Sequence, residues 1–279
     1  MKKRGLLIAL IFIIFSVFVT HAKAQEDTKA YEEAYKNYSL KLEDYEKARN
    51  EYILARSQYL RFQTQKSQSD ARSAAIKFLQ IRDEVVILHL TVLKERLAIA
   101  KGVSEPRRET LLLKISEEID WYEDHKMILS SAGTLDEVVR DSNKAKDRFK
   151  TTSNLVYEIL ANVPYGRVVE FHDRVKDITS KIQAKLETIK TDTREGYSFS
   201  GQKFQVFDRW LLESQNLVVR GEEKSGSAED QINFIAEGKG DPVNLYNKTV
   251  EDLTQSQQYL KDATSFLKEL IREIKIAEN

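Results

Sequence analysis

Residues 31–62 read YEEAYKNYSLKLEDYEKARNEYILARSQYLRF, and in them Tyr31, Tyr38, Tyr45, Tyr52 and Tyr59 recur at every seventh position. Ala34, Ala48, Ala55 and Phe62 follow four of these tyrosines by three residues; Lys41 breaks the second row, and Leu42 beside it is placed to fill the gap. Steps of three and four put both rows on one stripe of an α-helix. Holding the repeat at seven predicts a left-handed, coiled-coil-like crossing with another helix. Large and small residues alternate along the stripe, so the expected role of the tyrosines is packing. The other reading is a binding face, with Tyr35, one position off the second row, as the ring left accessible at its rim.

Upstream, Lys2, Lys3 and Arg4 precede an apolar run from Leu6 to Val19 interrupted only by Ser16, and Ala22-Lys23-Ala24 follows. A basic start, a short apolar run and a small-x-small site predict a signal peptide over residues 1–24, cut after Ala24; a bilayer span needs about 20 apolar residues. The expected protein is therefore exported, secreted or held in the cell envelope, with no membrane span after removal of the leader; the alternative is an uncut leader kept as an N-terminal anchor. The whole chain carries 44 basic and 44 acidic residues, and loss of Lys2, Lys3, Arg4 and Lys23 with the leader leaves a net charge of −4. That balance argues against nucleic acid as a partner. With no cysteine in the chain, disulfides, thiolate metal sites and a cysteine nucleophile are excluded.

Few glycines and prolines with 32% charged residues suit long amphipathic helices. The expected fold is all-α: an elongated up-and-down bundle of about seven long amphipathic helices over residues 25–279, with coiled-coil-like packing. Its parts are a tyrosine-heptad helical hairpin over 25–101, middle helices over 104–220 with a break near Gly196, a flexible loop enclosing a short helix over 221–241, and a C-terminal helix over 242–279. A turn is expected within 63–70, where Ser67 and Asp70 have the spacing of a capping box. The apolar, β-branched segment from Val85 to Leu93 is read as part of a central helix. Thr134 and Glu137 form a clear capping box, and Asp241-Pro242 opens the last helix. Asn162 to Gly166, NVPYG, predicts a turn or sharp kink because Pro164 lacks a backbone donor. Gly221, Gly226, Gly238 and Gly240 motivate the loop.

Signals for chemistry are weak. The histidines of the expected mature chain, His89, His125 and His172, have Val86, Tyr122 and Val169 three positions earlier, where a ferritin-like site would place glutamates. No H-E-x-x-H, G-x-S-x-G, phosphate loop or dinucleotide fingerprint occurs. The expectation is therefore no catalytic residue, no metal and no cofactor. His89 lies in the most apolar stretch and is expected in the core. Together with Trp121 and Tyr122 it forms the candidate interhelical ligand site. The expected function is a non-enzymatic scaffold or protein-interaction module, its partner a protein, self-association through helix seams included. The alternative is a helical sensor or small-ligand-binding domain with its site between helices.

Overall fold

A computed structural model describes the backbone of residues 2–191 and 199–278 and the side chains of residues 28–191 and 199–276. The expected leader, 1–24, and the break expected at Gly196 lie outside the described side chains. Among the described residues the chain is all-α, with six helices in up-and-down order: α1 (Lys2–Phe62), α2 (Gln65–Ala98), α3 (Glu105–Ser130), α4 (Leu135–Lys190), α5 (Gly201–Ala236) and α6 (Pro242–Glu278). They divide into two compact units. One holds the chain up to Ile99 with Glu105–Val156; the other holds Ala100–Ser104 with Tyr157 onward.

In the first unit α1 and α2 are antiparallel, and the turn between them is tighter than expected. Gln63 takes a positive φ of 47° and Thr64 is the N-cap of α2. The Ser67 amide donates to the Thr64 hydroxyl oxygen at 3.1 Å, and the Thr64 amide donates to the Ser67 hydroxyl oxygen at 3.0 Å. The capping box is thus Thr64 with Ser67, one turn earlier than Ser67 with Asp70, because a threonine hydroxyl beside the positive-φ residue already satisfies the first free amides. At the start of α4 the expected box forms: the Glu137 amide donates to Thr134 Oγ1 at 3.2 Å, and the Thr134 amide to Glu137 Oε2 at 3.1 Å. Ala75 and Leu79 of α2, Leu129 of α3 and Val138 of α4 pack together, with Tyr52 and Phe78 against them.

In the second unit the later part of α4 packs with α5 and α6 around Val175, Ile182, Leu186, Phe207, Leu211, Leu260 and Leu267. Two expectations are corrected here: joining the helices on either side of NVPYG takes the number of long helices from about seven to six, and the short helix expected within 221–241 becomes part of α5. NVPYG is not a turn: α4 is one 56-residue helix that carries Pro164 inside it. Proline costs a helix interior about 3 kcal/mol, but Ile159, Ala161, Val163 and Val168 are buried around it, and each large apolar side chain so buried contributes about 1.5–3 kcal/mol. Gly166 does not end a helix either. Its Cα faces the backbone of the 100–104 loop, where Gly102 takes a φ of +75°, and a Cβ at Gly102 would fall 1.9 Å from the Gly166 carbonyl oxygen. Both positions need glycine because backbone meets backbone.

The 221–241 segment is not a flexible loop but helix as far as Ala236. Gly221, Ser225 and Ala228 form its buried small-residue row, which lets α5 and α6 approach closely. Ser256 Oγ donates to the Gly221 carbonyl at 2.7 Å, and Lys224, Ser227 and Gln231 all donate to the Asp252 carboxylate at 2.9–3.0 Å. Burial pulls that carboxyl up, but these bonds outweigh it and hold the group below its ordinary value. The last helix starts as expected, with the Asn244 amide donating to Asp241 Oδ1 at 2.8 Å.

Candidate functional site

Three arrangements in the first unit bear on function. The first is the tyrosine row. Tyr38 stacks on His89 with centroids 5.3 Å apart, and Tyr45 and Tyr52 flank Phe78 at 5.3 and 5.4 Å. Ala34 and Ala48 are buried between α1 and α2. Tyr31 and Tyr59 are half-buried at the two ends, and Tyr35 is exposed. The row is therefore a packing seam over most of its length. Leu42 does not fill the gap at Lys41: it points to solvent, while Lys41 itself reaches Glu84 of α2 and Asp44, both at 3.3 Å. A long aliphatic stem with a paired ammonium serves a half-covered seam position as well as an apolar residue does.

The second is a polar network inside the helices. His89, Trp121 and Tyr122 do not build it as a trio. His89 faces Tyr38 of α1 and is half-buried, which pulls its imidazole below its ordinary value. The imidazole that joins Trp121 is His125, stacked on the indole at 5.0 Å and 8°. Asp83 of α2 and His125 of α3 are 0% and 2% exposed. His125 Nδ1–H donates to Asp83 Oδ2 at 2.6 Å, and Nε2–H donates to the Asp141 carbonyl of α4 at 2.9 Å. Arg82 donates to the other Asp83 oxygen at 2.9 Å, so a guanidinium and an imidazole share the one carboxylate. With an oxygen acceptor facing each nitrogen, the geometry favours the doubly protonated ring. Burial alone would lower it; the Asp83 bond, the Asp141 carbonyl and the Asp83 charge outweigh burial and raise it.

Two turns along, Glu118 of α3 takes Arg148 of α4 in a forked pair at 2.6–3.1 Å, and Thr152 donates to the same carboxylate. The Tyr122 hydroxyl lies 3.0 Å from Thr152 Oγ1, and the Arg148 guanidinium sits over the Trp121 ring. Asp83, Glu118 and Asp141 escaped the sequence reading, and His125 entered it only as a histidine on or beside a helix seam, yet a signal was there. Asp83 is in phase with buried Ala71, Ala75 and Leu79, and Glu118 and His125 are in phase with Leu111, Ile115, Tyr122 and Leu129. A charged residue on a core row is a register device in helical bundles. Both ring nitrogens of His125 are engaged inside the core, by the Asp83 carboxylate and the Asp141 carbonyl.

The third is a cleft of about 320 Å³ between α1, α2 and α4, open to solvent. Ala71 and Ala75 make its floor; Tyr52, Tyr59 and Leu60 stand on one side, Val138 and Val139 on the other, with Arg56 and Asn143 as polar groups. Small floor residues between two walls of larger ones leave room for side chains from outside. Among the described residues no three histidine or carboxylate side chains converge to hold a metal ion, and no helix is long and apolar enough to cross a membrane. Comparison of the chain with protein-family models, with curated proteins and with solved structures finds no match.

Proposed function

We propose that the chain is an exported, non-enzymatic helical scaffold of the cell envelope or extracellular space that works by docking protein partners. The observation that supports this reading is the alanine-floored cleft of α1, α2 and α4, whose apolar walls remain open to solvent. Such a groove suits the projecting apolar side chains of a partner helix or extended segment. The buried ionised groups of the same unit, Asp83, Glu118 and His125, are engaged with one another's helices and with Arg82 and Arg148, and what supports docking is the shape and apolar area of the cleft.

The test is capture from an envelope extract with the parent chain and with Val139→Arg, which puts a charge on the cleft wall at an exposed position. The expected result is a protein retained by the parent and released by the variant, with helicity by circular dichroism unchanged. Retention of the same proteins by both chains overturns the reading.

A second reading is favoured by the size of the same cleft, which falls at the small end of the range for ligand sites, about 300–1,000 Å³. There a small apolar ligand lies between Tyr52, Tyr59 and Val138. Native mass spectrometry of the chain recovered from its host separates the two, since a bound small molecule adds a fixed mass that Val139→Arg removes.

A further inference from the structure

The tyrosine seam uses only one side of α1. On the side next to it, Tyr35, Leu42, Glu46, Arg49, Ile53 and Leu60 form a second row in steps of three, four and seven, so all six share one stripe. This row faces solvent: Tyr35, Leu42, Ile53 and Leu60 are 54%, 37%, 49% and 57% exposed. Glu46 and Arg49 are exposed too, joined loosely at 3.6 Å within the helix.

The order of the row decides what fits it. Its intervals are 7, 4, 3, 4 and 7, the same from either end, about a centre between Lys47 and Ala48. Read both ways it runs apolar, apolar, charged, charged, apolar, apolar, with opposite charges at mirrored places. A two-fold axis through that centre lays the row antiparallel on itself. Tyr35 then meets Leu60 of the second copy, Leu42 meets its Ile53, and Glu46 meets its Arg49, each contact made twice. A parallel pairing sets Glu46 against Glu46 and Arg49 against Arg49, which opposes it. Self-complementarity about a two-fold is the requirement of an isologous dimer.

We propose that α1 pairs antiparallel with the α1 of a second copy of this chain through this row. The proposal rests on the docking reading above and names its partner. Leu60 also borders the cleft, so the pairing brings Tyr35 of the second copy to the cleft mouth. From Tyr35 to Leu60 the helix is ~39 Å long, and a strip ~10 Å wide gives roughly 400 Å² per copy, small for a permanent dimer. The pairing is therefore reversible and concentration-dependent.

Light scattering on the full chain as recovered from its host, from about 1 to 100 µM, reads the mass directly. The expected result is a rise towards twice the monomer mass. Glu46→Arg and Arg49→Glu each place like charges in both symmetric contacts and weaken the dimer about tenfold or more. An equimolar mixture of the two variants restores it, because the arginine introduced in one chain then meets the glutamate introduced in the other. Since the chain has no cysteine, Leu42→Cys mixed with Ile53→Cys also forms a disulfide heterodimer that neither gives alone. A chain monomeric throughout, a dimer indifferent to both charge changes, or a mixture no better than its parts overturns the proposal. A monomeric chain that still captures a protein lost with Val139→Arg sinks the homodimer and keeps the docking reading; one that captures nothing sinks both.

Discussion

His125 contributes to stability through both of its ring protons, and this gives the first unit a pH dependence of definite sign. Its imidazole is raised above 6.5 on folding, so its contribution is complete below about pH 6.5 and is lost as pH rises through the raised value. The groups that act on it are Asp83 and Arg82 from α2 and the Asp141 carbonyl from α4; beyond them Lys144 pairs with Asp141 and Arg148 with Glu118. His89 acts in the opposite direction: its lowered value costs stability only as pH falls below the ordinary histidine range. Thermal melts from pH 6 to 9 should therefore show a falling midpoint in the parent. His125→Ala should lose that slope and be destabilised by about 3–5 kcal/mol at pH 6, because Asp83 is left buried with only Arg82 beside it. The sequence pointed to His89 rather than His125 because VVILHLTVL is the more apolar neighbourhood. Burial in a bundle follows phase, not neighbourhood, and His125 holds the core phase of α3 among polar flanks.

Elements were legible where their ends carry side-chain chemistry. The Thr134–Glu137 box and the Asp241 cap were read correctly because hydroxyl and carboxylate act on amides two or three residues away. The interiors of α4 and α5 were not legible, because what keeps them helical lies on other helices. Glycine costs a helix about 1 kcal/mol each, which made 221–241 look irregular; Ile232 and Ile235, buried in that same stretch, offset it. The two glycines of α5 should respond in opposite ways. A Cβ at Gly221 would meet Leu260 at 3.2 Å, while Gly226 has nothing within 4 Å. Gly221→Val should destabilise by about 1–3 kcal/mol through overpacking, and Gly226→Ala should stabilise by about 0.5–1 kcal/mol. Chemical denaturation of both variants checks this. In α1, Tyr52→Ala removes a ring stacked on Phe78 and should cost about 2–4 kcal/mol, somewhat less than a fully buried aromatic because the tyrosine is half-exposed.

At the scale of the whole molecule, composition was enough for an all-α, up-and-down chain. It could not number the helices, because a proline or glycine inside a packed helix reads the same as one between two. The proposed export has its own check: intact mass of the protein recovered from its host should correspond to a chain beginning at Gln25, and recovery of the uncut chain overturns it. The two-residue link between α1 and α2 bears on how such a chain would travel. Contacts across it, such as Lys77 with Glu51, join residues only 26 apart, and helical pairs with such local contacts close in microseconds to milliseconds. Synthesis adds only about 5–20 residues per second, so α1 and α2 zip together while the rest of the chain is still being made. A secretion channel that threads extended polypeptide would meet a hairpin that re-forms quickly, making export a race between zippering and threading.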